Sequence, residues 1–189
     1  MGAMAGPMDR ERAHALVREK TEKDTTVRHL ISVEGIMRRL GRHFGEDEDL
    51  WALAGLFHDL DQDQTHDDLS KHGHLSAKWL AEAGVDDRVG NAALAHAHPE
   101  FRTDLLSKAI VHADALSGFL VACALVRPEK ANGMKVSSVR KKLKDKAFAP
   151  GVAREDIMGV QEGIGLELDE FIGLGIEGLQ LISDEIGLV

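Results

Sequence analysis

The apolar run from Ala109 to Val126 constrains this chain most, because it has an aspartate inside it. The run approaches the length a membrane span needs. Asp114, with His112 two residues before it, makes that reading expensive, since a carboxylate at membrane depth costs about 3 kcal/mol even on insertion scales. The segment therefore reads as the core helix of a soluble bundle, with one buried carboxylate that needs a chemical partner. No transmembrane segment is expected.

The rest of the chain repeats the helical period. Leu30, Val33, Met37 and Leu40 fall on one stripe of a helix over 25–43, with Asp24 or Thr25 to cap it and Gly45 to end it. Acidic residues 46–49 open a second helix carrying Leu50, Leu53, Leu56 and Phe57 up to His58-Asp59. Residues 61–70 read as a carboxylate-rich loop, and further helices are expected over 74–83, 86–98 and 103–126. Past Arg127-Pro128 the chain changes character. A basic stretch, Lys135 to Lys146, precedes a break at Ala149-Pro150-Gly151 and two amphipathic helices, 157–165 and 168–186, whose Leu, Ile and Phe stripes would serve core packing or a homodimer contact. No alternating β-branched run stands out, so the fold class is all-α: a helical domain over 8–126 with a helical extension, 127–189, packed on it. Residues 1–7 read as an expression-tag remnant.

Composition excludes several functions. The 189 residues suit one domain, and a net charge of −9 argues against a general nucleic-acid surface. A single cysteine rules out an internal disulfide framework and suits the cytoplasm. Cys123, in an apolar stretch, reads as a packing residue. No Gly-rich loop leads into Gly-Lys-Ser or Gly-Lys-Thr, and no serine sits in a nucleophile elbow.

The unusual figure is ten histidines against no tyrosine. Those at 58, 66, 72, 74, 96, 98 and 112 lie close together in the chain. Imidazole and carboxylate suit manganese, iron, cobalt, nickel or zinc, whereas one cysteine cannot build a thiolate site. His58-Asp59 is the strongest element. Adjacent helical residues point about 100° apart, so two neighbouring ligands converge only where a helix ends.

His29, then His58-Asp59, then Asp114, each in a helical setting, resembles the HD superfamily of metal-dependent phosphohydrolases. Arg28-His29-Leu30, the segment Ala54 to Asp61 and the segment Ala109 to Leu116 carry the likeness, which covers about 25–126; the remainder resembles a bacterial HD/HDIG-type subgroup. The resemblance implies that His29, His58, Asp59 and Asp114 bind a first divalent metal (Mn, Fe, Co, Ni, Zn or Mg). It also implies that Asp59 bridges to a second ion completed by His72 and His96. His74 and His98 are rival ligands, each two residues from its counterpart and so facing nearly the opposite side of a continuous helix. His14, His43 and His66 are expected at the surface, and His112 beside the site or in solvent.

The activity so implied is attack of a metal-activated water on a small phosphate ester, a nucleotide among the candidates. Asp59 and His58 would carry it, with Asp61 or Asp63 accepting the proton. Arg28, Lys71, Lys78, Arg127 and Lys130 are candidates to hold the phosphate, and the basic run around Arg140 to draw anions in. Two other classes fit the same residues: a di-iron oxygenase and a non-catalytic metal-binding regulatory module. A cyclic-dinucleotide phosphodiesterase of the HD-GYP kind is disfavoured, because Pro99-Glu100-Phe101 follows His98 where Gly-Tyr-Pro would be needed.

Overall fold

The computed structural model describes residues 8–189, so the tag-like segment 1–7 lies outside the described residues. The described chain folds into eleven α-helices and one 3-10 turn, with no strand among them. In order the helices are α1 (Arg10–Lys20), α2 (Asp24–Phe44), α3 (Glu48–Phe57), α4 (Gln62–Thr65), α5 (His74–Glu82) and α6 (Asp87–Ala97). There follow α7 (Leu105–Leu125), α8 (Val136–Leu143), α9 (Arg154–Met158), α10 (Val160–Ile164) and α11 (Leu168–Leu181).

The two long helices, α2 and α7, form the spine. α2 buries Leu30, Val33, Met37 and Leu40, the stripe its spacing predicts, and ends at Gly45 in the left-handed conformation. Its N-cap is Lys23, which offers no side-chain hydrogen bond; Asp24 lies inside the first turn instead of capping it. There it still complements the helix dipole. α3 is capped by Asp47, whose carboxylate accepts from the N–H groups of Asp49 and Leu50. α7 opens on a reciprocal capping box between Asp104 and Ser107. By length and composition α7 could cross a membrane, yet two thirds of its apolar window is buried inside the protein.

The C-terminal third joins the same hydrophobic core. Phe171, Ile172, Leu174, Ile176 and Leu179 are buried, with α11 lying against α2 and α7. Of the two roles open to this apolar stripe, core packing is the one it takes within the chain. Three helices, not two, occupy the last stretch, because Gly159 separates α9 from α10. Two further elements carry little sequence signal. α1 has only two buried residues, Ala13 and Val17, and α4 is a single turn inside the expected loop.

Candidate metal centre

The elements bring His29, His58, Asp59, His72, His96 and Asp114 together. The helical setting expected of these residues holds only in part. His29, His96 and Asp114 stand on α2, α6 and α7, but His58 and Asp59 lie in the turn ending α3, and His72 lies in the turn before α5. Turns can aim neighbouring side chains at one point, which a helix cannot.

Two close approaches set these turns. A methyl group added to Gly55 would lie 2.6 Å from the Val33 carbonyl oxygen, so only glycine lets α3 approach α2 closely enough to bring His58 to His29. Gly73 has a φ of +80°, and a methyl there would meet the Ala93 carbonyl oxygen at 2.7 Å. That residue lets the chain turn beside α6 just after His72.

Three donor sets result, each with ligand atoms within 4.8 Å of one another: His29, His58 and Asp114; His58, Asp59 and His96; Asp59, Asp61 and His72. His58 belongs to two sets and Asp59 to two. In the first, His29 Nε2 is 3.0 Å from Asp114 Oδ1 and 3.2 Å from His58 Nε2. His58 Nδ1–H donates to the Gly55 carbonyl at 2.7 Å, which fixes the tautomer that leaves Nε2 facing the cluster. In the second, His96 Nε2 lies 3.8 Å from Asp59 Oδ1 and 3.9 Å from Asp114 Oδ2.

In the third set His72 Nε2 approaches Asp59 Oδ1 at 2.8 Å, while its Nδ1 is 2.9 Å from both Asp61 Oδ1 and Thr65 Oγ1. Asp61 was expected in a loop, free to take a proton. Instead it is fully buried: Oδ2 accepts from the Ser76 N–H, its own N–H donates to Ser76 Oγ, and Oδ1 faces His72. That places it behind His72 as the carboxylate that orients the imidazole. Asp63 is likewise spoken for, accepting from the N–H groups of Glu22 and Lys23 and from the Thr26 hydroxyl. It ties the start of α2 to α4 and faces no donor set.

The electrostatics follow from crowding charges in a dry site. Burial works against ionised Asp59, but His72 together with His58 and His96 outweighs it and holds the carboxyl down to about 2. Burial likewise opposes charged His72, and Asp59 and Asp61 overcome it, raising the imidazole to about 10. His96 goes the other way, lowered to about 4 by burial and then by His58. Asp114 is partly exposed, at 27% of its side chain, and not enclosed as its apolar run implied; desolvation opposes its charge, but His29 and His58 hold it well below the usual carboxylate range.

The fit to a divalent cation rests on one atom. Asp59 Oδ1 is buried and accepts no hydrogen bond, although His72 Nε2 is close by. Nitrogen and oxygen are near each other but not aligned donor to lone pair, the arrangement expected where both aim at a third body. A nitrogen- and oxygen-only donor set suits a borderline-to-hard cation.

The rival histidines point elsewhere. His74 is exposed, and His98 Nε2–H donates to the His72 carbonyl at 2.8 Å. His14, expected in solvent, is three-quarters buried and bonds Glu34 at 3.0 Å. His43 and His66 are exposed, and His112 Nδ1–H donates to the Asp156 carbonyl at 2.5 Å, tying α7 to α9. Of the phosphate-holding candidates, Lys71 pairs with Asp68, Lys78 is 4.0 Å from Glu82, and Arg127 holds the carbonyls of Lys130 and Asn132. Arg28 alone of these lines a cleft with His29. Within the basic run, Arg140 pairs with Asp169. Burial pushes the Cys123 thiol up to about 11, so it is a packing group and no nucleophile. Sequence reading missed Thr65 and Ser76, which support His72 and Asp61 from outside any motif.

Comparison with known proteins adds the family. The HD domain family model matches residues 26–118, a span that includes all six converging side chains. Ribonuclease Y 2 of Levilactobacillus brevis is 31% identical over 90 residues, 48% of this chain and 17% of that protein's length. No solved structure matches. With the family match spanning His29 to Asp114 and the same side chains converging in the all-α fold, residues 26–118 are an HD domain, of the superfamily of metal-dependent phosphohydrolases.

Proposed function

We propose that this chain hydrolyses phosphate esters with a divalent metal held by His29, His58, Asp59, His72, His96 and Asp114. The observation that carries the reading is the buried Asp59 Oδ1, which lacks a hydrogen bond and lies where two of the donor sets meet. A cation bound there supplies water acidified toward neutrality and neutralises charge on the phosphoryl group.

This chain's own residues do the rest. The Gly55 carbonyl sets the tautomer of His58, and Asp61 with Thr65 holds His72 in place. Asp59 and Asp114 stay ionised at neutral pH and so supply negative charge to the cation without having to lose a proton first. The donor positions are fixed by packed helices and short turns, so little reorganisation is needed when substrate arrives. Small phosphomonoesters head the substrate classes. A phosphodiester belongs with them, because the matched relative is named a ribonuclease.

The test is phosphate release from the monoesters and alcohol release from the diester, with manganese, cobalt, nickel or magnesium added, run beside Asp59→Ala. Release by the wild type and none by the variant is the expected result. Equal release by both, or release that persists through chelation, would overturn the reading.

A further inference from the structure

A cleft of about 290 Å³ opens beside His29, and its walls differ from the metal centre. One side is a ridge of α2, with Thr25, Arg28 and His29. The other is a stripe of α7, in which Gly118, Val121 and Leu125 follow Asp114 at i+4, i+7 and i+11. That spacing keeps one helix face, so the apolar wall continues the face that carries Asp114, reaching about 16 Å along the axis. Ile186 and Leu188, beyond the end of α11, close the third side. The Leu188 N–H donates to the Ser183 carbonyl, and the Leu188 carbonyl accepts from the Ala131 N–H, so this tail is held in place.

Polar character in the cleft is sparse. Ser32 Oγ is already bonded to the His29 carbonyl and to Ser117 Oγ. Arg28 is exposed and makes no ion pair or side-chain hydrogen bond among the described residues. Leu125, at the rim, is 58% exposed. A wall of Val, Leu and Ile offers no partners for the hydroxyls of a sugar, which would lose their water on entry. It rewards an apolar group instead, and the volume is near the lower end of small-ligand pockets, about one ring system.

Resting on the phosphohydrolase reading, we propose that this cleft takes the organic part of the substrate: an apolar, ring-sized ester group lies between α2, α7 and the C-terminal tail, and Arg28 holds a phosphate oxygen at the end nearest His29. The chain is thereby selective for alkyl or aryl phosphates over sugar and polyol phosphates.

The experiment compares kcat/KM for 1-naphthyl phosphate and glycerol phosphate, with manganese, in wild type and Leu125→Asp. Leu125 is exposed enough that the substitution leaves the core alone. Burying the ring predicts a wild-type preference of roughly tenfold or more for the naphthyl ester, collapsing toward one in the variant. Equal turnover of both esters, unchanged in Leu125→Asp, overturns the cleft assignment and leaves the phosphohydrolase reading intact. If neither ester is hydrolysed, calorimetry with naphthylphosphonate and manganese decides the cleft by itself. Binding that weakens in Leu125→Asp supports it, and absent or unaltered binding overturns it.

Discussion

Among the buried carboxylates that lie beside histidines, Glu34 and Asp59 are not alike. Glu34, on α2 five residues past His29, is saturated: Arg10 reaches it at 2.6 and 3.2 Å, His14 at 3.0 Å, and Arg10 also binds Glu185. Asp59 is also buried, though at 8% exposure against 2%, yet its Oδ1 accepts no hydrogen bond. Both carboxyls are held low by their neighbours. The difference is geometric. Around Glu34 the donors point at the oxygens and close the network, tying α1 and the C-terminal tail to α2. Around Asp59 three overlapping sets of imidazoles and carboxylates crowd together, and Oδ1 is left without a hydrogen bond. A closed polar network stabilises a fold, whereas an open one of this composition awaits a cation.

The sharpest way to break the comparison is to remove each carboxylate in turn. Asp59→Ala should cut metal-dependent turnover roughly a thousandfold or more, since the cation's contribution of several kcal/mol goes with it. Steady-state kinetics reads the effect. Glu34→Ala should do the reverse. Taking Glu34 from His14 and from half-exposed Arg10, which keeps Glu185, costs about 1 kcal/mol of stability, seen in denaturant unfolding, while turnover per folded molecule is kept.

Asp61→Asn comes next. It leaves every proposed ligand in place but weakens the hold on His72 Nδ1, so metal affinity should fall roughly 10- to 100-fold by titration. The pH dependence of stability is a smaller effect. Burial opposes the charge on Glu34, but His14 and Arg10 prevail and its pKa lies below the usual value. Its contribution is therefore complete above the unfolded value of about 4.3 and is lost as pH falls through the lower folded value. Thermal melts from pH 6 to pH 3 should show a decline that Glu34→Gln flattens. Least of all should happen in His74→Ala, where metal affinity measured by titration is expected to match wild type, because that imidazole faces solvent.

The two carboxylates also mark what was legible in the sequence. Asp114 stood out because it interrupts an apolar run, and His58-Asp59 because it follows a strongly apolar helix that must end there. The long helices were equally plain, since α2 and α7 carry sustained stripes. Glu34 was invisible. Its partners Arg10 and His14 lie on α1, whose apolar face is too narrow to announce a helix. Asp61 was read as a loop carboxylate free to take a proton because its bonds to Ser76 and His72 depend on the turn at Gly73, and no local pattern encodes where that turn comes to rest. Periodicity reports a helix's face, while ion pairs between elements are set only by tertiary packing.

The central claim, that the open cluster around Asp59 is a metal centre, is tested most directly by metal content and manganese titration of wild type beside Asp59→Ala and Glu34→Gln. Bound divalent metal in wild type and in Glu34→Gln, with its loss in Asp59→Ala, is the predicted result. Wild type that takes up no divalent cation, or Asp59→Ala that retains the full complement, would contradict it.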